Sequence, residues 1–518
     1  MPGDASVLIV GAGPVGLVLA NELARRGLRF RIVDKLAAPT DESRAILVQA
    51  RSLEMMERLG VVEAERESGI ETHAAVYHSG GRVIARVGFD GVDSPYPYSI
   101  STEQPATERV LTEPLAALGI TVERGVELVA FTQDDVAVRA TLRHADGSEE
   151  TATVDWIVGA DGGHSAVRDA AGTTLEGSFK GQRFLLGDVD ADYELERDAT
   201  HAFFAEAGPV LLFPMHGNRV RLIAEVFDDA PATVERLQTL VDERVGGIMV
   251  TTPHWLTTIE IHHAQVPQYR IGRAFLAGDA AHVHSPAAGQ GMNTGMQDAF
   301  NLGWKLGFAA NGTPCEKLLD SYHAERHPVA AKVIEATTTL TRVGTLPHAL
   351  ERTVRDHAMH AVTALAPIQH VLASASEETD VAYRHSPIVA AGHRHDRPLP
   401  GDVAPDVPGL DTPLHSALAE GTGHVLLVVS PAGGAAAPVD LPTVLPAAAG
   451  LRQVAAGSVA HDAEFDAVVG DPDRLVAARY GLGEAGGVIV VRPDGYIGAR
   501  APAGDGAAVA GYLAALTG

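Results

Sequence analysis

The sequence is short of the residue types on which several kinds of site depend. It holds one cysteine, Cys315, in 518 residues, which excludes an intramolecular disulfide, a CxxC redox pair and any cysteine-ligated zinc or iron–sulfur site. Redox chemistry would have to come from a bound cofactor. Basic residues are outnumbered, 40 Lys and Arg against 66 Asp and Glu for a formal net charge of −26, and no basic stripe offers itself to nucleic acid or an anionic membrane surface. The first apolar run, Val7 to Leu23, is interrupted by Gly11, Gly13, Pro14 and Gly16 and carries Asn21 and Glu22. It is therefore neither a membrane span nor a signal peptide, and a cytoplasmic protein is expected. Histidine clusters at His262–His263 and His393–His395 lack carboxylates at helical ligand spacing, so no metal site is expected.

What is present is an ordinary globular composition, 46% apolar and 20% charged, with length enough for two or three domains. SVLIV at 6–10 is a short β-branched strand, and Gly11-Ala12-Gly13-Pro14-Val15-Gly16 turns from it into a helix that ends at Arg25, Arg26 and Gly27. Alone, GxGxxG describes any tight strand-to-helix turn; between these flanks it is a dinucleotide fingerprint. FRIVDK supplies a second strand ending in Asp34, with Lys35 beside it. A carboxylate there binds an adenosine ribose hydroxyl and repels a 2′-phosphate, which favours FAD or NAD over NADP at this first site.

Gly272 to Gly307 combines a strand, an acidic turn, a glycine-rich loop and a long helix. FLAG at 275–278 is an apolar run fit for a buried strand, and Asp279 follows at its carboxyl end, where open α/β sheets place ligand-binding groups. After Pro286, Gly289 and Gly291 let backbone N–H groups approach a ligand, and a helix opening at Asn293 and Thr294 aims its positive end at the same place. The stretch reads as a cradle for the ribityl chain and ring of a flavin. Met292, Met296, Phe300, Trp304 and Phe308 recur four apart; that stripe is assigned to core packing, and the loop before it to the ligand.

Residues 151–169 give another strand, Asp161-Gly162-Gly163 at its end, and a helix start. From 72 to 101 and from 175 to 270 the pattern becomes β-rich and alternating, as one antiparallel sheet inserted into the nucleotide domain. In RVRLIAEV, Val220, Leu222, Ala224 and Val226 alternate with Arg219, Arg221 and Glu225, after a hairpin-like turn at His216-Gly217-Asn218. Residues 314–375 are helical in pattern, 383–413 are rich in Pro, Gly and charge, and GHVLLVVS and GGVIVVRPDGYIGAR are strands of a separate small α/β unit.

Taken together in this order and spacing, Gly11–Gly16, Asp161-Gly162 and Gly278-Asp279 resemble the three motifs of the single-component class A flavoprotein aromatic hydroxylases. The second reads Gly159-Ala160-Asp161-Gly162-Gly163-His164-Ser165-Ala166-Val167-Arg168, and the third Gly278-Asp279-Ala280-Ala281-His282 followed by Pro286, Gly289, Gln290, Gly291, Met292 and Asn293. Within Ser43 to Gly60 the resemblance implies that Arg44 approaches the FAD phosphates, and in EQPATERVL that Gln104 contacts the flavin. One departure is Ala287-Ala288, where relatives often carry another glycine. PGDVAPDVP at 400–408 and VRPDGYIGAR at 491–500 resemble the thioredoxin-like C-terminal domain of the phenol and polyketide hydroxylase branches; without CxxC its role would be structural or in dimer contact.

The resemblance implies an α/β architecture: a Rossmann-like FAD-binding domain (1–71, 102–174, 271–345), an inserted antiparallel substrate domain (72–101, 175–270), a helical segment and linker (346–397) and a thioredoxin-like domain (398–518). It implies that NAD(P)H reduces FAD, that dioxygen adds at flavin C4a, and that the hydroperoxide hydroxylates a phenolic or polycyclic aromatic substrate, including polyketides, in a monomer or homodimer. With a single dinucleotide fingerprint the reductant would bind transiently, leaving NADH and NADPH both open. LLFPM at 211–215, Phe184, Phe203 and Phe204 offer apolar walls for a substrate pocket. His201, His216 and Tyr193 are candidate bases among which no spacing selects, so no catalytic side chain is assigned. Baeyer–Villiger or epoxidising oxygenation, and a cyclase that keeps FAD only as a structural element, stay open as alternatives.

Overall fold

The computed structural model describes residues 5–516 apart from 41–42, 286–288, 313–314, 345, 347–348, 364, 393–396, 442–449 and 462. Pro286, Ala287-Ala288 and the His393–His395 cluster therefore lie outside the described residues. Val7–Val10, buried along its whole length, is the central strand of a six-stranded sheet in the order Arg270–Ile271, Ala274–Leu276, Trp156–Gly159, Val7–Val10, Phe30–Asp34, Glu123–Arg124. All neighbours are parallel except the outermost pair, Arg270–Ile271 with Ala274–Leu276. Apolar residues on both faces of such strands are expected, because helices must cover a parallel sheet on both sides.

Pro14 opens the helix Pro14–Arg25 at a position where its missing N–H costs nothing. That helix packs against Gln290–Asn311, which is one turn longer at its start than the sequence indicates, with Gly289 as its cap. The approach is close: a Cβ on Gly303 would lie 2.6 Å from Glu22 Cγ, and one on Gly307 2.5 Å from Arg26 Cδ. Met292, Met296, Phe300 and Trp304 are buried, as their spacing predicts. The helix is buried around its whole circumference, so its polar residues need partners within the protein.

An eight-stranded sheet runs His282–Val283, Met249–Gln265, Glu176–Asp192, Arg219–Val226, Val210–Pro214, Ala199–Phe204, Ala74–Ser79, Arg82–Gly88. It is antiparallel as expected, except where its two sequence segments meet: Ala199–Phe204 lies parallel to Ala74–Ser79. The hairpin turn stands at His216-Gly217-Asn218, with the Met215 N–H donating to the Arg219 carbonyl at 2.9 Å. The alternation in RVRLIAEV is one of chemistry and not of exposure, since Arg221 is 0% and Glu225 4% exposed. One face of the sheet is covered by the helix Val234–Arg244 through Leu185, Val220, Leu222, Leu237 and Val241. The other packs Phe184, Leu186, Leu211, Phe213 and Ile223 toward Ile46 and Leu47 of the nucleotide-binding part.

Near the C-terminus a five-stranded sheet runs Ala467–Val469, Arg452–Ala456, Val425–Val429, Gly487–Val491, Ile497–Ala501. One of its faces shares a core with Trp304 and Leu318, through Leu426, Val490 and Tyr512. Among the described residues no helix is long and apolar enough to cross a membrane.

Candidate functional site

The three sequence motifs follow the carboxyl ends of three adjacent parallel strands, Val7–Val10, Trp156–Gly159 and Ala274–Leu276. Twisted parallel sheets open a crevice there. Gly11, at φ +103°, lies so close to the second motif that a Cβ on it would meet the Ala160 carbonyl oxygen at 2.3 Å, and a Cβ on Gly16 would meet Gly11 O at 2.0 Å. Gly13 is different, for a Cβ there would meet no atom of the described residues within 4 Å. The two outer glycines of the fingerprint serve the packing of the turn and the middle one faces open space, the division of labour a pyrophosphate cradle needs. Asp34 Oδ2 accepts the Ala12 N–H at 2.8 Å and lies 3.4 Å from Arg124 Nη1, while Oδ1 accepts the Leu36 N–H at 2.8 Å. Acceptor capacity for a ribose hydroxyl remains on that carboxylate. Lys35 is exposed beside it.

Asp161 Oδ2 accepts the N–H groups of Ala166 at 2.7 Å and Val167 at 3.2 Å, capping the helix Ala166–Ala170. Its Oδ1 is buried and finds no partner among the described residues. Burial raises this carboxyl above its usual range, opposed by Ser165 and those backbone N–H groups. Asp279 sits on the turn Gly278–Ala280 within the body of the protein yet keeps an accessible side chain, so it borders the crevice. Burial raises its carboxyl too, against the pull of His282 and of the Arg44 charge. Gln104 Oε1 accepts the N–H groups of Arg44 at 3.3 Å and Ala45 at 3.2 Å, which fixes the segment that carries Arg44.

The helix Gln290–Asn311 starts at Gly289, and its first N–H groups have no partner within the helix. Asn293 is not free to bind a ligand through its amide nitrogen, because Nδ2 donates to Leu47 O and Gly289 O at 2.8 Å each while Oδ1 accepts the Gln49 N–H at 2.9 Å. What Gly291, Met292 and Asn293 present is backbone. His284, which the sequence reading passed over, stands against Gly291. Its Nδ1 meets the Ser285 carbonyl at 3.1 Å, its Nε2 is buried without a partner among the described residues, and burial, with His282 alongside, pushes it down to about 4, so it is neutral.

None of the three candidate bases faces the cofactor side. His201 shares the helix-covered face with Phe203 and is engaged by His78 at 3.0 Å and the Glu196 carbonyl at 2.8 Å. Tyr193 packs against the same cluster, and His216 is exposed in its turn. The residue that does bridge sheet and crevice is Arg221. It grips Asp188 through two bonds of 2.6 and 2.7 Å, donates to the carbonyls of Arg44 and Ala45 at 3.1 Å each, and lies 5.6 Å over the Trp255 ring.

Glu377 and Glu378 also escape a reading by pattern, since two adjacent acids suggest surface. Glu378 is buried; it accepts the Thr294 hydroxyl at 2.7 Å and the Gln297 amide, both from the helix Gln290–Asn311. Burial pushes its carboxyl up to about 7, with Thr294, Arg326 and Gln297 opposing. Gln297 Oε1 is buried without a partner among the described residues. An acid held protonated in the folded state lowers stability as pH rises from its unfolded value, about 4.5, to about 7, at a cost of about 3 kcal/mol above that window. Glu378→Gln is expected to flatten the decline of Tm over pH 5–7; an unchanged slope in a thermal-melt series would refute this.

The FAD binding domain family model matches residues 4–337. The 6-methylpretetramide 4-monooxygenase of Streptomyces rimosus is 36% identical over 523 residues, covering 96% of this chain and 92% of that protein. The pentachlorophenol 4-monooxygenase of Sphingobium chlorophenolicum is 37% identical over 349 residues, 66% of this chain and 65% of that protein. Among solved structures, the anhydrotetracycline hydroxylase OxyS from Streptomyces rimosus superposes with a TM-score of 0.75 at 30% identity, covering 96% of this chain and 95% of that one. The family model matches well over half the chain, and the relatives are named monooxygenases: the protein belongs to the FAD binding domain family and is an FAD-dependent monooxygenase.

Proposed function

We propose that this protein hydroxylates a phenolic or polycyclic aromatic substrate, of polyketide type, with NAD(P)H as transient reductant and O2 as oxidant. The observation that carries the reading is the meeting of two surfaces: the crevice of Gly13, Asp161 and Asp279, and the apolar sheet face of Phe184, Leu186, Leu211, Phe213 and Ile223. The names of two similar proteins, a 6-methylpretetramide 4-monooxygenase and an anhydrotetracycline hydroxylase, support a fused-ring substrate. We assign the pyrophosphate to Gly11, Gly13, Pro14, Val15 and Gly16, the adenosine ribose to Asp34 and Lys35, and the phosphate-facing cation to Arg44, held by Gln104. Asp161 and the Gly278-Asp279 turn take the ribityl side, and Gly289, Gly291, Met292 and Asn293 the ring, through their backbone. A cytoplasmic location follows from the same reading.

FAD, when bound, supplies the redox and oxygen-activating chemistry. The protein contributes an environment. The start of Gln290–Asn311 lends positive potential to a ring that becomes electron-rich on reduction. The apolar sheet face keeps water from the reacting carbon and presents the aromatic plane. Neutral His284 offers a hydrogen-bond acceptor at the ring end of the crevice.

Purified protein reconstituted with FAD is expected to be yellow and to oxidise NAD(P)H faster when fused-ring phenols are added, with one oxygen atom gained per product. NMR of the product locates that oxygen on an aromatic carbon. Turnover that proceeds without NAD(P)H or O2 would replace this reading with a cyclase.

A further inference from the structure

The charges at the end of the strand Gly487–Val491 do not stay within the C-terminal unit. Arg492 and Asp494 are buried against the middle of the helix Gln290–Asn311. Arg492 donates to both oxygens of Glu325, at 2.7 and 2.8 Å, and to Asp494 at 2.6 and 3.0 Å. From the helix, Lys305 Nζ and Asn301 Nδ2 each reach Glu325 Oε2 at 2.7 Å, Asn301 also reaches Asp494 Oδ2 at 3.1 Å, and Trp304 Nε1 donates to the same oxygen at 3.0 Å. Two cations and two anions thus neutralise one another out of contact with water.

The lattice continues toward the cofactor side. Arg326, next to Glu325 on the helix Glu316–Gly344, donates to Asp298 Oδ1 at 2.6 Å, to the Tyr383 hydroxyl at 2.8 Å and to the Thr294 carbonyl at 3.1 Å. Asp298 Oδ2 in turn accepts the Gly278 N–H at 3.2 Å and pairs with His282 Nε2 at 2.7 Å. Tyr383 stacks on Tyr496 of the C-terminal unit, ring centres 4.1 Å apart. Two groups of paired charges therefore lie between the Arg492–Asp494 turn and the backbone of the turn that carries Asp279, joined where Glu325 and Arg326 adjoin on one helix and by Tyr383, whose hydroxyl accepts from Arg326 and whose ring lies 5.3 Å from the Arg492 guanidinium.

We propose that the Arg492–Asp494 turn is a positioning element of the cofactor site. It sets the register of the helix Gln290–Asn311 against the C-terminal sheet and, through Glu325, Arg326 and Asp298, the seat of the Gly278–Asp279 turn. An apolar interface tolerates sliding, whereas desolvated charges whose several partners come from three segments are costly in every register that breaks those bonds. The C-terminal unit thereby governs how FAD is held without touching it; this rests on the reading of the crevice as the FAD site.

The test uses the full chain with Asp494→Asn and the milder Trp304→Phe, read by FAD titration and by the visible circular dichroism of bound flavin, with urea unfolding of the FAD-free protein alongside. Asp494→Asn is expected to weaken FAD binding about tenfold, and Trp304→Phe two- to threefold, both with an altered flavin dichroism band. Combined with Asp298→Asn, either effect should be less than additive, because the residues act in one lattice. Variants that lose stability yet bind FAD with unchanged affinity and unchanged dichroism overturn the proposal. Should the unaltered chain bind no FAD at all, the cofactor reading falls and this proposal with it, an outcome distinct from the first.

Discussion

Gly13→Ala is expected to leave the FAD-free protein folded and within about 1 kcal/mol of its original stability, while FAD binding falls by about 100-fold, the equivalent of roughly 3 kcal/mol. The backbone of Gly13, at φ −79° and ψ −175°, is one that alanine adopts without strain, and the added methyl meets no atom of the described residues within 4 Å. Among the described residues it obstructs nothing, so its effect falls on a ligand in the space over the turn. Gly16→Ala makes the opposite case: its methyl would sit 2.0 Å from Gly11 O, a backbone clash that forces the strand and helix apart at a cost of about 3 kcal/mol or more. The pair separates cofactor contact from packing within one six-residue motif. Equilibrium FAD titration and urea unfolding decide it, and a Gly13→Ala protein that binds FAD like its parent would remove the pyrophosphate from this turn.

The strand ends that build the crevice were legible because the features that encode them are local. SVLIV, the glycines of 11–16 and the FLAG-Asp279 sequence each specify strand, turn and ligand-facing group within about ten residues, and a parallel sheet then brings their carboxyl ends together. Arg221 was not legible, for period-two alternation reports which side chains share a face and says nothing of what covers that face. Here the face that carries Arg221 together with Phe184, Phe213 and Ile223 docks onto residues 44–47, far away in sequence. The same holds for Glu378, which looks like a surface acid until helix Gln290–Asn311 is laid beside it, for Glu377, which accepts from the Ala50 N–H and the Ser99 hydroxyl, and for Arg492, whose partner Glu325 lies on the helix Glu316–Gly344. The apolar walls divide likewise: Phe184, Leu211 and Phe213 line the cofactor-side face, while Phe203 belongs to the face under Val234–Arg244. Patterns of two and 3.6 give elements; buried pairs such as Arg221–Asp188 and Arg492–Glu325 arise where elements meet.

Arg221→Met should be among the most damaging single substitutions outside the crevice. Both members of the Arg221–Asp188 pair are buried, and removing the guanidinium strands a carboxylate with no other cation bonded to it among the described residues. The expected loss is about 3–5 kcal/mol, a large part of the roughly 5–15 kcal/mol by which such proteins are stable. The double variant Arg221→Met/Asp188→Leu removes the stranded charge and is expected to recover most of that stability, since apolar side chains of similar volume replace buried ion pairs at little cost. It cannot recover the bonds from Arg221 to the carbonyls of Arg44 and Ala45. Stability and function should therefore separate: urea midpoints near the parent's, with substrate-stimulated NAD(P)H oxidation still depressed because the Arg44 segment is no longer pinned to the substrate sheet. A double variant as unstable as Arg221→Met alone would show that the loss lies elsewhere than in the stranded charge, and one with full activity would show that the tie to residues 44–45 does not position the cofactor side of the site.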